Sequence, residues 1–221
     1  ETVRRDLGYL RKEGVVKKVH GGVAAVKQRG VETSYQTRAT EHIPEKQKIA
    51  KAAIGLVKPG DSLILDGGTT VFELAKLLVS VSDLMVITPS IQIGLFLIAN
   101  SPHRVFMPGG WLRKADQSLY GNRAVETVMK FHVDKAFVGA AGVSAKYGVT
   151  DYFDEEVNLR TAEIKSSQDT FLLVDHSKFN ETALLSVAPI TAFSAVITDS
   201  CAPKNQVEEM RELGVNVIVS E

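Results

Sequence analysis

Short apolar runs alternate with amphipathic stretches along most of this chain. Apolar runs of strand length recur from residue 62 onward, and apolar positions repeat at helical spacing between most of them. The predicted strands are Ser62–Asp66, Leu84–Thr88, Arg104–Met107, Lys135–Gly139, Thr170–Asp175, Ala195–Thr198 and Asn216–Val219. The predicted helices between them cover residues 69–79, 91–99, 121–130, 154–168 and 204–213. This alternation predicts an α/β fold, a three-layer α/β/α arrangement around a mostly parallel sheet.

The first residues follow a different pattern. Residues 2–13 carry one apolar stripe with basic residues on the other faces, which predicts a helix that ends at Gly14. A strand-like alternation follows and reaches a turn at Gly21-Gly22. Helix, stop and basic hairpin are typical of the second half of a winged helix-turn-helix. We therefore predict a partial DNA-binding winged helix over residues 1–26, a linker over 27–44 and an α/β body over 45–221.

Charge separates the same two regions. The net charge is zero, yet residues 1–30 hold eight basic and three acidic residues, whereas the remainder holds 18 and 23. A basic head on a mildly acidic body suggests a polyanion-binding module. The single cysteine excludes an internal disulfide and fits a cytoplasmic location. Because the chain begins with Glu rather than Met, we expect it to be a fragment of a longer protein.

The stretch from Leu63 to Thr70 is the strongest candidate for binding chemistry. An apolar strand runs into Asp66, then Gly67 and Gly68, then two threonines that open a helical pattern. Glycines let the backbone approach a ligand, and unpaired amides at a helix start favour an anion. The sequence therefore predicts a phosphate site here. The alternative is an ordinary strand-to-helix turn that a threonine caps.

Polar and glycine residues also recur after the other predicted strands. Ligands in open α/β sheets bind at the carboxyl ends of the strands, so these residues should share one cleft for a polyhydroxylated anion. The candidate ligand-binding residues are Asp66, Gly67, Gly68, Thr69, Thr70, Thr88, Ser90, Gly109, Gly110, Asp151, Asp175 and Lys178. Backbone amides at 67–70 would hold a phosphate, and carboxylates would accept hydrogen bonds from hydroxyls.

Several of these residues also have a purely structural interpretation. Asp66 could cap its own turn, and Lys178 could be a solvated loop lysine. His176 is more often packed than functional in such a position, and Trp111 is more often a core or interface residue than a platform for a sugar ring. On the helix over 154–168, the charged residues Arg160, Glu163 and Lys165 are expected to form a solvated face.

The N-terminal motifs resemble a known family of bacterial repressors. Glu1-Thr2-Val3-Arg4-Arg5-Asp6-Leu7, followed by Glu13-Gly14 and Lys18-Val19-His20-Gly21-Gly22, resembles the recognition helix and wing of the DeoR family. That family places a first helix and a turn before this point. The resemblance implies DNA contacts from the helix start and from the basic wing. The DNA-binding residues that it implies are Thr2, Arg4, Arg5, Lys17, Lys18 and His20.

The resemblance continues through the body. Its motifs are the 66–70 loop, Ile87-Thr88-Pro89-Ser90, Pro108-Gly109-Gly110, Asp134–Gly139, Gly148-Val149-Thr150, Val174–Phe179 and Ile197-Thr198-Asp199. The effector domain of that family is similar to ribose-5-phosphate isomerase and the aminosugar-phosphate deaminases. The resemblance implies a sheet in the order 3-2-1-4-5-6 and a phosphorylated sugar as inducer. Pro89 departs from the family, which commonly has Asn there.

Three functions remain open at this stage. We predict a DNA-binding transcriptional repressor that senses a phosphorylated sugar, acts as a homodimer or homotetramer, and has no catalytic residues. A sugar-phosphate isomerase or aminosugar-phosphate deaminase is the alternative, since Asp175 with Lys178, or Asp151 with Asp175, could supply an acid–base pair. A DNA-binding scaffold without an effector is the third. No His/Cys cluster has metal-ligand spacing, and Gly139–Gly142 lacks the dinucleotide fingerprint, so neither metal nor cofactor is predicted.

Overall fold

A computed structural model describes residues 2–12, 16–19, 22–25, 33–179 and 181–221 of the chain. The chain divides into two compact units, Glu1–Val31 and Glu32–Glu221. Residues 33–44 of the predicted linker therefore belong to the larger unit. Among the described residues, every helix is too short or too polar to cross a membrane.

The first unit contains a helix and a hairpin. Helix α1 covers Thr2–Lys12, and strands β1 (Val16–Val19) and β2 (Gly22–Ala25) pair antiparallel. Among the predicted DNA-binding residues, Thr2, Arg4 and Arg5 lie in α1, and Arg5 is exposed. Lys17 and Lys18 lie in β1, whereas His20 lies outside the described residues. Their contacts with DNA stay a prediction.

The second unit alternates strands and helices. Its helices are α2 (Tyr35–Thr40), α3 (Ile43–Ile54), α4 (Thr69–Leu78), α5 (Ile91–Asn100), α6 (Asn122–Val128), α7 (Asp154–Lys165) and α8 (Lys204–Glu212). Its strands are β3 (Ser62–Leu65), β4 (Met85–Ile87), β5 (Arg104–Phe106), β6 (Trp111–Leu112), β7 (Leu119–Tyr120), β8 (Val133–Val138), β9 (Gly142–Ser144), β10 (Gly148–Asp151), β11 (Ser167–Leu173), β12 (Leu185–Ala188), β13 (Ala195–Asp199) and β14 (Val217–Ser220).

A seven-stranded parallel sheet forms the centre of this unit. Its order is β14-β13-β11-β8-β3-β4-β5, and every neighbouring pair is parallel. Each predicted strand lies in this sheet, and the order 3-2-1-4-5-6 is confirmed with β14 added at one edge. The strand order reverses between β3 and β8, which is where ligands bind in open α/β sheets.

Alternate residues of the buried strands pack against opposite helix layers. Leu63 and Leu65 of β3 lie in a core cluster with α3, α4 and α5, whereas Ile64 lies in the cluster that includes α6, α7 and α8. Because both faces are covered, the strand carries no polar face of its own. The three-layer α/β/α prediction is confirmed.

Two smaller β structures were not predicted. Strands β12, β10 and β9 form an antiparallel sheet in that order, and β6 and β7 form a hairpin. These strands have two to four residues each, too few for a period to be read from the sequence. Strand β10 matters for the site because it ends at Asp151, one of the predicted ligand-binding residues.

Candidate functional site

A cleft open to solvent lies at the carboxyl ends of β3, β8 and β11. Most of the predicted ligand-binding residues line it. Those that do are Gly67, Gly68, Thr69, Thr70, Asp151, Asp175 and Lys178. The sequence therefore located this cleft, while the binding role of each residue stays a prediction.

The start of helix α4 forms one side of the cleft. The N-cap is Gly68, whose backbone is extended and which has no side chain to cap the helix. The amide of Gly67 is taken, since it donates to Asp66 Oδ1 at 2.7 Å. Among the described residues, the amides from Gly68 to Val71 have no hydrogen-bond partner. The interpretation of this turn as a threonine-capped helix is therefore wrong, and the helix start is open to an anion.

Arg160 of α7 bridges two of the predicted carboxylates. Its Nε donates to Asp66 Oδ2 at 2.8 Å, and its Nη1 donates to Asp151 Oδ2. Burial alone would lower the pKa of the guanidinium, but the two carboxylates raise it above its ordinary value. Arg160 is 6% exposed, so its assignment to a solvated face is wrong. Asp66 also accepts from the Gly139 amide at 3.1 Å, and the bridge thus joins the ends of β3, β8 and β10.

Glu163 lies one turn further along α7 and is fully buried. Among the described residues, neither of its carboxyl oxygens has a hydrogen-bond partner. Burial raises the pKa of Glu163 well above its ordinary value, the charge of Asp66 raises it further, and Arg160 opposes this. The structure therefore favours the neutral acid. The prediction of a solvated face was wrong for Glu163 as well, and held only for the exposed Lys165.

Lys46, Asp175 and Lys178 also line the cleft. Asp175 Oδ1 accepts from the Ser177 amide at 2.9 Å and so caps the 3₁₀ turn His176–Lys178. Burial would raise the pKa of Asp175, but the bonds from Ser177 and the charges of Lys178 and Lys46 lower it overall. Lys46 is only 3% exposed, and burial lowers its pKa. The sequence analysis missed Lys46, because a lysine between Glu45 and Gln47 resembles any solvated position.

Residues just before α3 complete the wall. Arg38, Glu41 and His42 line the cleft, and His42 adopts a left-handed backbone with φ 54°. Across the cleft, Arg113 pairs with Asp116 at 2.7 Å and with Glu156. Asp116 and Glu156 also line the cleft, and Arg113 is the cationic partner of both carboxylates.

The remaining predicted ligand-binding residues lie outside the cleft lining; they are Asp66, which Arg160 holds, and Thr88, Ser90, Gly109 and Gly110. The Thr88 hydroxyl accepts from the Ser90 amide at 3.1 Å, and the Ser90 hydroxyl caps α5 by accepting from the Ile93 amide. Gly109 and Gly110 make a turn with positive φ, where a Cβ on Gly110 would overlap the Tyr120 carbonyl. These residues have structural roles that their positions after strands did not distinguish from binding.

His176, Asp199 and Cys201 bring three potential metal ligands within 4.8 Å of one another. Asp199 Oδ1 accepts from His176 Nδ1 at 3.1 Å and from the Cys201 amide at 2.9 Å, and Oδ2 accepts from the His176 amide at 2.7 Å. The His176 ring also packs edge-on against His42. The carboxylate therefore organises two turns, in agreement with the packed interpretation of His176. Trp111 is 75% exposed in β6 and lies outside the cleft lining.

Family models match nearly the whole chain. The model described as DeoR C terminal sensor domain matches residues 41–200, and the one described as DeoR-like helix-turn-helix domain matches residues 1–29. The chain belongs to the DeoR family. The resemblance drawn from the sequence motifs is thereby confirmed.

Relatives of this DeoR-family chain are named as transcriptional regulators. It is 30% identical over 220 residues to the putative aga operon transcriptional repressor of Escherichia coli O157:H7, covering 99% of this chain and 82% of that protein. It is 30% identical over 203 residues to the glycerol-3-phosphate regulon repressor of Escherichia coli K12, covering 92% and 80%. It is 32% identical over 221 residues to the repressor GlcR of Bacillus subtilis 168, covering 100% and 85%.

Solved structures share the fold at low identity. The eIF2B beta subunit of Chaetomium thermophilum superposes with a TM-score of 0.50 at 15% identity, covering 76% of this chain and 53% of that one. Ribose 5-phosphate isomerase A of Methanocaldococcus jannaschii gives 0.45 at 19% identity, covering 61% and 53%. The first of these supports the fold class alone.

Proposed function

We propose that this chain is a DNA-binding transcriptional repressor whose larger unit binds a phosphorylated sugar in the cleft between β3 and β8. The observation that carries the proposal is the start of α4, where amides from Gly68 to Val71 line the cleft without partners among the described residues. Unpaired helix-start amides bind phosphate groups. Lys46 and Lys178 add positive charge to the lining of the same cleft.

The sugar end of the ligand has its own partners. Asp151 and Asp175 line the cleft, and their carboxylates accept hydrogen bonds from hydroxyl groups. Arg160 fixes Asp151 in place through a buried ion pair, which keeps the acceptor preorganised. Amides that suit a phosphate and carboxylates that accept from hydroxyls lie in one cleft, which favours a phosphorylated polyol or sugar over inorganic phosphate.

The DNA-binding part of the proposal rests on the family and on the basic first unit. The relatives named above are repressors, and helix α1 with its basic hairpin suits a recognition helix and a wing. Two operator half-sites require a homodimer or a homotetramer. Such a regulator acts in the cytoplasm, and effector binding changes its operator affinity through a coupling of about 1–3 kcal/mol.

The contacts of the carboxylates argue against the alternative function, catalysis. An isomerase needs a carboxylate free to accept a proton from carbon. Asp66 and Asp151 are held by Arg160, and Asp175 caps a turn with a lowered pKa. These carboxylates suit binding better than proton transfer.

A paired thermal-shift panel tests the proposal. Each sugar phosphate is compared with its unphosphorylated sugar, because a ligand that binds only the native state raises apparent stability, by about 2.7 kcal/mol at 100 times its Kd. We expect at least one phosphate ester to stabilise the chain while its free sugar does not. Equal effects of every pair would overturn the sensor, and conversion of a stabilising ligand, followed by NMR, would identify an enzyme.

A further inference from the structure

Helix α2 and the residues just after it, which follow the boundary between the two units in the chain, form part of the cleft wall. The first unit ends at Val31, and α2 begins four residues later at Tyr35. Arg38 and His42, within or just after α2, line the cleft. A ligand in the cleft therefore meets the same stretch of backbone that leads to the DNA-binding unit.

Helix α2 has little to hold it by itself. It has six residues, well short of the length at which an isolated helix is stable. Between residues 33 and 42, Tyr35 is the one buried side chain. The Ser34 hydroxyl caps the helix start by accepting from the Thr37 amide at 3.2 Å. The Ser34 cap is thus one identifiable contact that stabilises α2.

Lys46 secures the other end of α2. Its Nζ donates to the carbonyl of Arg38, in the last turn, and to the carbonyl of Glu41, the C-cap residue, at 2.7 Å. The last carbonyls of a helix have no partner within it, and a lysine ammonium at that end satisfies them. The same ammonium lines the effector cleft.

An anion in the cleft would strengthen this contact. An ammonium has three donors, and the two carbonyls use two of them, which leaves one for a ligand oxygen. Burial makes the charge of Lys46 costly, as its lowered pKa reflects, and an adjacent anion offsets that cost. Anion binding and the carbonyl contacts of Lys46 should therefore favour each other.

We propose that an anionic effector binds Lys46 and thereby orders α2, so that occupancy of the cleft controls the segment that carries the DNA-binding unit. The inference rests on the proposed function, because it uses the same anion site. It adds the regulatory connection: Lys46 is the positioning residue through which the effector acts on α2. Coupling of this kind is reciprocal, so weakening α2 must weaken anion binding.

The test uses the full chain with inorganic phosphate as the probe, and Ser34→Ala as the perturbation outside the cleft. Hydrogen exchange of residues 35–42 is followed with and without phosphate, and phosphate affinity is measured by titration. We expect phosphate to slow exchange in α2. Loss of the N-cap should weaken phosphate binding about two- to fivefold, and Ser34→Asp, another good N-cap, should restore it.

Ser194→Ala is the matched control. Its exposed hydroxyl donates to Asp169 at 2.9 Å near the amino-terminal end of β11, away from the carboxyl ends that form the cleft, and we expect phosphate affinity to be unchanged. Saturable binding with unchanged exchange in α2, or with full affinity in Ser34→Ala, overturns the coupling and leaves the anion site standing. Failure of phosphate and of every sugar phosphate to bind overturns the proposed function and the coupling together.

Discussion

Replacing Arg160 with methionine removes the cation that two buried carboxylates share. Asp66 and Asp151 are 5% and 2% exposed, so bulk water cannot replace the hydrogen bond that each carboxylate loses. Breaking a buried ion pair from one side costs about 3–5 kcal/mol. Asp66 keeps bonds from the Gly67 and Gly139 amides, and Asp151 keeps one from the Tyr152 amide at 2.7 Å, so we expect the lower end, about 3 kcal/mol.

Urea denaturation followed by circular dichroism measures this loss. In thermal denaturation, a loss of about 3 kcal/mol lowers the Tm of a domain of this size by roughly 6–12 °C. Arg160→Lys should recover part of the stability, because a point charge cannot bridge both carboxylates as the planar guanidinium does. Arg211→Met is the control, since it removes an exposed ion pair with Glu208, worth at most about 1 kcal/mol, and one 3.2 Å bond to the Val217 carbonyl, but leaves no buried charge unpaired. Equal losses for Arg160→Met and Arg211→Met would refute the bridge.

Three further changes test other parts of the account. Glu163→Gln should flatten the pH dependence of the free energy of unfolding. Because the folded-state pKa of Glu163 is raised, its protonated carboxyl contributes its full stability at a pH below the unfolded-state pKa. That contribution is lost as the pH rises, by about 1.4 kcal/mol per pH unit. In urea denaturation from pH 5 to 8, the variant should therefore gain on the wild type. Lys178→Met should weaken binding of the stabilising sugar phosphate about 10- to 100-fold in calorimetry, whereas Lys204→Met on α8 should not. In a DNA-binding titration, Arg4→Ala should cost about 1–3 kcal/mol of operator discrimination, and Lys18→Ala should weaken binding to every sequence alike.

Each of these has a contrary result. Parallel stability profiles for Glu163→Gln and wild type would mean that the buried carboxyl is ionised. Full affinity in Lys178→Met would remove that ammonium from the ligand contacts. Equal losses on operator and random DNA for Arg4→Ala would exclude base readout by this residue.

The sheet could be predicted because the pattern that indicates each strand or helix lies within its own residues. Short apolar strands alternate with helices, and a parallel sheet is the arrangement that covers both strand faces. The cleft followed from the same reasoning, since the polar residues after β3, β10 and β11 meet at one edge. Polar and glycine residues also follow β4 and β5, yet there Ser90 caps a helix and Gly110 makes a turn.

The buried charges were harder to find. Helix α7 carries charged residues on every side, so its pattern does not distinguish Arg160 and Glu163 from solvated positions such as Lys165. Helix α7 packs against β10 and β12 as well as β11, and β10 and β12 are too short to leave a period in the sequence. Lys46 was missed for a similar reason, because its partners are backbone carbonyls that no sequence pattern specifies.

Amide NMR during a ligand titration tests the central claim most directly. The account predicts that a phosphorylated sugar shifts the resonances from Gly68 to Val71 more than others, and that its unphosphorylated counterpart leaves them in place. Shifts elsewhere in the chain with these amides unmoved, or equal shifts with both sugars, would contradict the phosphate site at the start of α4.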